Sequence, residues 1–105
     1  MGKLIILRGN SGSGKTTVAK ALQKKLGRNT MLISQDEVRR NMLWVDDGID
    51  TKALPLMADL LRYGREHSEF SILEGIMYDE WYRSLFELAN ELYGSNVYAY
   101  YFDLS

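Results

Sequence analysis

The chain has no cysteine among its 105 residues, which excludes a disulfide frame and any thiolate metal site. Such a chain is at home in a reducing compartment, and a cytoplasmic location is expected. An excess of one charge is also lacking. Lys and Arg together number 13 against 14 Asp and Glu, a net charge of −1. No broad basic surface follows from that balance, so nucleic acid is not an expected partner. A small anionic ligand stays open, because it needs only a few well-placed donors. Long apolar runs are scarce. The first, Leu4-Ile5-Ile6-Leu7, is closed by Arg8 and is too short to cross a membrane or act as an export segment. It reads as a buried strand, and no membrane partner is expected. The single proline, Pro55, leaves most of the chain free to form regular structure.

What is present is an alternation of short apolar strands and amphipathic helices in a single domain covering residues 1–105. After the strand at Leu4–Leu7, Val18, Leu22 and Leu26 recur every fourth residue. They predict a helix from Lys15 to Leu26, stopped by Gly27. Residues 30–34 form a second strand. A short helix over 36–43 follows, with Ser34 and Glu37 spaced as a capping box. Residues 45–51 read as a loop. Pro55 fits the first turn of a helix bearing Leu54, Met57 and Leu61 on one face. Phe70–Leu73 is the third strand. Asp79 is expected to cap a helix over 80–93 that Gly94 ends, and Val97–Phe102 is the fourth strand. This order implies an α/β fold with a parallel sheet covered on both faces. A further helix would ordinarily follow strand four, so the chain reads as part of a longer enzyme or a short member of its class.

The most informative stretch is Gly9-Asn10-Ser11-Gly12-Ser13-Gly14-Lys15-Thr16, followed by Thr17. It matches Gly-x-x-x-x-Gly-Lys-Thr, sits after a strand and opens a helix. The glycines accept positive φ and let oxygen atoms approach the main chain, so successive N–H groups form a nest at the positive end of the helix. In that setting Lys15 reaches the β- and γ-phosphates, and the Thr16 hydroxyl ligates Mg²⁺. Expected ligands are therefore ATP, or GTP, with Mg²⁺, cradled by residues 9–17.

Ligands of an open parallel sheet bind beyond the carboxyl ends of its strands, and three acids fall there. Asp36 fits a general base taking a proton from an acceptor hydroxyl, and it equally fits a helix N-cap. Glu74, ending an apolar strand, fits a carboxylate that orients magnesium-bound water, with a solvated strand end as the alternative. Asp103 reads as the cap of a later helix. Arg39 and Arg40 could hold an anionic group of an acceptor, or simply occupy an exposed helical face. Trp44 and Met42 read as core packing rather than as a pocket lining. His67 reads as a favourable charge near a helix end. Tyr98, Tyr100 and Tyr101 read as a half-buried strand.

Residues Leu4 to Thr17, with Ser34-Gln35-Asp36 and Leu73-Glu74-Gly75, resemble the small P-loop kinases. The closest pattern is the zeta-toxin-like and chloramphenicol-phosphotransferase-like group, which shades into proteins labelled uridine kinases. The resemblance implies a three-layer P-loop fold with sheet order 2-3-1-4. It also implies transfer of the γ-phosphate of ATP to a hydroxyl on a small molecule, with Lys15 and Asp36 catalytic. Members of that group continue into an arginine-bearing lid that nothing here matches. A nucleotide-dependent regulatory module without an acceptor, or a non-catalytic fragment, are the competing readings. An incompletely covered sheet also raises the prospect of self-association.

Overall fold

The computed structural model describes residues 2–10 and 14–102. Four parallel strands lie in the order β2-β3-β1-β4. They are β1 (Lys3–Gly9), β2 (Met31–Ser34), β3 (Phe70–Gly75) and β4 (Val97–Phe102). The expected order 2-3-1-4 is the observed one. β3 is the most deeply buried strand because it pairs with β1 on one side and β2 on the other.

Helices cover both faces, which is why the central strands are almost continuously apolar. On one face lies α1 (Lys15–Leu26), packed through Ala19 against Leu7 and Ile72. On the other lie α3 (Ala53–His67) and α4 (Asp79–Tyr93). Their buried residues Met57, Leu61, Tyr82 and Leu85 meet Leu4, Ile6, Ile33 and Leu73 of the sheet. Between β2 and α3, a single turn α2 (Gln35–Glu37) runs into a π-helical stretch, Val38–Leu43. The sequence predicts one continuous α-helix there. The wider turns end at Trp44, whose backbone is left-handed at φ 56° and whose N–H bonds to the Arg39 carbonyl.

Other local expectations change as well. Val18 is 41% exposed, so of the expected stripe only Leu22 and Leu26 pack against the core, beside the fully buried Ala19. Val18 and Leu22 border an open groove with Ile5, Leu7, Tyr98, Tyr100 and Phe102. The tyrosines of β4 are exposed on both faces rather than half-buried, because β4 is an edge strand. Tyr78, not Asp79, is the N-cap of α4; Asp79 lies in the helix's first turn and pairs with Arg8 at 3.3 Å. Asp103 lies outside the described residues.

Gly64 is where α3 comes closest to the sheet. A Cβ there would stand 2.3 Å from the Ser71 hydroxyl oxygen. Gly64→Ala gains about 1 kcal/mol of helix propensity but meets an overpacking cost of about 1–3 kcal/mol. At so short a distance the upper end applies, so urea denaturation is expected to show a net loss of about 2 kcal/mol. Adding Ser71→Ala should restore part of it; equal losses in the single and double variants would contradict the contact.

Candidate functional site

β1 delivers the chain to the phosphate loop at a point where only glycine fits. A Cβ on Gly9 would lie 2.3 Å from the Phe102 carbonyl oxygen of β4. The Asn10 N–H donates to that same oxygen at 3.3 Å. Ser11, Gly12 and Ser13 lie outside the described residues. Gly14, left-handed at φ 86°, is the N-cap of α1 and has no side chain of its own to cap it. The first-turn N–H groups of a helix suit an acceptor supplied by an anionic ligand. Thr17 lies exposed in the same turn.

Lys15 is buried at 7% exposure, and its Nζ donates to the Asn10 carbonyl at 3.1 Å. Thr16 Oγ1 stands 3.4 Å from each carboxylate oxygen of Glu74. Glu74 is 2% exposed, so it is not a solvated strand end. Its register partners are Leu7 on β1 and Ser34 on β2, which sets it at the centre of the sheet's carboxyl edge. Gly75 follows. A Cβ there would lie 2.6 Å from Gln35 Cβ, so glycine lets β3 and the start of α2 close on each other.

Ser34 caps α2, its hydroxyl accepting the Glu37 N–H at 3.4 Å. Asp36 is therefore not the N-cap. Its side chain is 61% exposed, and one oxygen, Oδ1, meets Arg39 Nη2 at 3.2 Å and Arg40 Nε at 2.8 Å. Glu37 does not reach back to complete a capping box; its carboxylate accepts the Asn41 side-chain amide. A cavity of about 500 Å³ brings together Lys15, Thr16, Asp36, Arg39, Arg40 and Glu74. Four separate elements supply them. His67 sits in the last turn of α3, at the opposite end of the sheet.

Three further residues shape this cavity without a strong mark in the sequence. Tyr82, fully buried on α4, donates its hydroxyl to Asp47 Oδ1 at 2.6 Å. Gln35 Nε2 reaches the Tyr82 hydroxyl at 3.0 Å and Asp47 Oδ2 at 3.3 Å. Burial first, then the hydrogen bond to Asp47, pushes the Tyr82 phenol well above its usual pKa, so it remains a donor. Asp46-Asp47-Gly48 was legible only as a turn; its tie to a tyrosine 35 residues away is purely tertiary. Arg8 lines a separate, neighbouring cavity, donating to the Met77 carbonyl at 2.5 Å and lying 4.5 Å from the Phe86 ring centre.

Trp44 and Met42 correct the core-packing expectation outright, being 90% and 55% exposed. The left-handed backbone at Trp44 costs about 1–2 kcal/mol for a residue with a side chain.

Magnesium is implied by the fold, and the residues fit it. Thr16 and Glu74 offer hard oxygen donors. A buried carboxylate whose hydrogen-bond partner among the described residues is a single hydroxyl is short of compensation. Among the described residues no cluster of three or more acids or histidines could cage a metal by itself.

A family model described as an AAA domain matches residues 4–105. The chain belongs to this family. No curated protein matches it. Among solved structures, this AAA domain resembles a candidate kinase of Chloroflexus aurantiacus at TM-score 0.72 and 19% identity, covering 95% of this chain and 57% of that one. It also resembles an APS kinase mutant of Mycobacterium tuberculosis at TM-score 0.60 and 23% identity, over 97% and 76% of the chains. A third is the shikimate kinase of Bacteroides thetaiotaomicron at TM-score 0.54 and 22% identity, over 94% and 58%. What the chain shares with all three is the fold. The chain spans less than two thirds of the first and third of these. No helix among the described residues is long and apolar enough to cross a membrane.

Tyr82→Phe removes one of the donors to Asp47 and is expected to cost about 1–3 kcal/mol in urea denaturation. Unchanged stability would show that the Asp47 loop does not depend on α4.

Proposed function

We propose that this AAA domain is the nucleotide-binding and phosphoryl-transferring part of a small-molecule kinase. The finer affiliation we propose is the zeta-toxin-like, chloramphenicol-phosphotransferase-like group. The observation that carries the reading is the common cavity, where Lys15, Thr16 and Glu74 stand beside Asp36. A regulatory nucleotide hydrolase has no need of a carboxylate poised on the acceptor side.

In this reading the loop's N–H groups and the α1 N-terminus bind the triphosphate. Lys15 leaves the Asn10 carbonyl for the β- and γ-phosphate oxygens. Thr16 and Glu74 hold magnesium, which when bound neutralises phosphate charge. Asp36 accepts the proton of the acceptor hydroxyl as its oxygen bonds to the γ-phosphorus. The bond from that phosphorus to the β–γ bridging oxygen breaks, and the nucleoside diphosphate leaves. Residues 1–105 act as one domain, and the partner molecules are a nucleoside triphosphate and a hydroxyl-bearing acceptor.

Calorimetric titration with Mg-ATP tests the nucleotide site directly. Lys15→Ala is expected to weaken binding by about tenfold or more; an unchanged isotherm would overturn the assignment. Glu74→Gln should raise the magnesium needed for half-maximal ATP binding by about 10–100-fold. An unaltered magnesium titration would remove Glu74 from the metal site. Asp36→Asn should leave ATP affinity nearly intact while lowering acceptor phosphorylation by about 10²–10⁴-fold. Lost binding with normal residual turnover would contradict the base role.

A further inference from the structure

The π-helical stretch leads the chain to a feature that packing does not explain. Among the described residues Trp44 is the most exposed large apolar one, at 90%, and it is held in a left-handed conformation. Water contact around an indole is unfavourable, and strained backbone persists where the surroundings enforce it, often at ligand sites. Single π turns inside helices also concentrate at such sites. Arg39, Arg40, Trp44, Val45 and Asp46 border one open concavity of about 860 Å³. Arg39 and Arg40 also line the cavity that contains Lys15 and Asp36, so the two spaces adjoin through these arginines.

The exposed Arg40 guanidinium has capacity left: it uses only Nε, on Asp36, and among the described residues its two terminal nitrogens have no partner. Arg39 is largely enclosed, at 17% side-chain exposure, with Nη2 on Asp36 and Nη1 donating to the Val45 carbonyl at 3.4 Å; its Nε is buried with no hydrogen bond among the described residues. The two cations share a single carboxylate oxygen of Asp36. Asp46 adds one exposed carboxylate to the far rim, where a ligand's own donor could meet it.

We infer that the acceptor of this kinase is an anionic molecule carrying a flat aromatic group, the anion held by Arg39 and Arg40 and the ring stacked on Trp44. The inference rests on the kinase reading and deepens it. Guanidinium forks suit a carboxylate or phosphate, and an exposed indole supplies a sequence-independent stacking surface. An acceptor anion that draws Arg40 away also frees the Asp36 oxygen it covers.

The test uses Trp81→Phe protein, in which Trp44 is the sole indole, saturated with magnesium and a non-hydrolysable ATP analogue. Calorimetry first checks that the analogue binds; failure there is failure of the nucleotide reading, and the probes are then titrated without it. Phenyl phosphate, glycerol phosphate and phenol are compared by Trp44 emission and by calorimetry. Phenyl phosphate is expected to blue-shift the emission and to bind about tenfold tighter than either other probe. Trp44→Ala, a surface change that a thermal melt should show to be folded, is expected to weaken phenyl phosphate about tenfold and leave glycerol phosphate unchanged. Arg40→Ala should weaken both phosphates about tenfold. Equal binding of all three probes, or phenyl phosphate affinity indifferent to both variants, overturns the inference. So does binding that saturating analogue abolishes, which would place the probe in the phosphate loop.

Discussion

A carboxylate sealed into the carboxyl edge of the sheet constrains everything around it. Glu74 ends the most buried strand at 2% exposure, and its protein partner is a hydroxyl at 3.4 Å. Removing a charge from water is costly unless something compensates it, so an interior acid with so little support demands a reason. Two glycines make its position possible. Gly9 lets β1 run against Phe102, and Gly75 lets β3 close on Gln35. Together they draw the phosphate loop and the start of α2 to opposite sides of the acid. In the proposed reading, the nucleotide half and the acceptor half of the site are thus parts of one sheet edge.

The proposed acceptor half is built differently. The phosphate side relies on backbone and short side chains at strand ends, whereas the acceptor side hangs on the irregular stretch 35–47. Its shape depends on the Tyr82–Asp47–Gln35 contacts, which tie the loop to α4. The π turns aim Arg39 and Arg40 back at Asp36 and leave Trp44 outside the core. A regular α-helix over the same residues would present these side chains at other angles. Departure from regular structure therefore coincides with the part of the site that would read the acceptor.

Much was legible beforehand because it depends on near neighbours. The apolar runs announce the strands, Gly27 and Gly94 end their helices through positive φ, and the loop spacing from Gly9 to Thr16 needs no distant contact to be recognised. Other features escaped because distant partners decide them. Val18 lies on the predicted apolar stripe, yet the sheet it faces is an open edge, so Ala19 takes the buried place. Trp44 looks like core by composition, and the π-helical register turns it to solvent. Asp79 looks like a cap and becomes the ion partner of Arg8, from the far end of another strand.

By itself the sequence determined the strand–helix alternation, the parallel sheet and the phosphate-loop motif. Those follow from periodicity and from glycines placed next to a lysine and a threonine, interactions that span a few residues. Only the tertiary structure decided that Asp36 is engaged by two arginines, that Glu74 is interior, and that Asp47 is tied to Tyr82. Each of those depends on which strand ends lie side by side and how closely they approach. That is set by the summed packing of both helical layers, which no local pattern along the chain encodes.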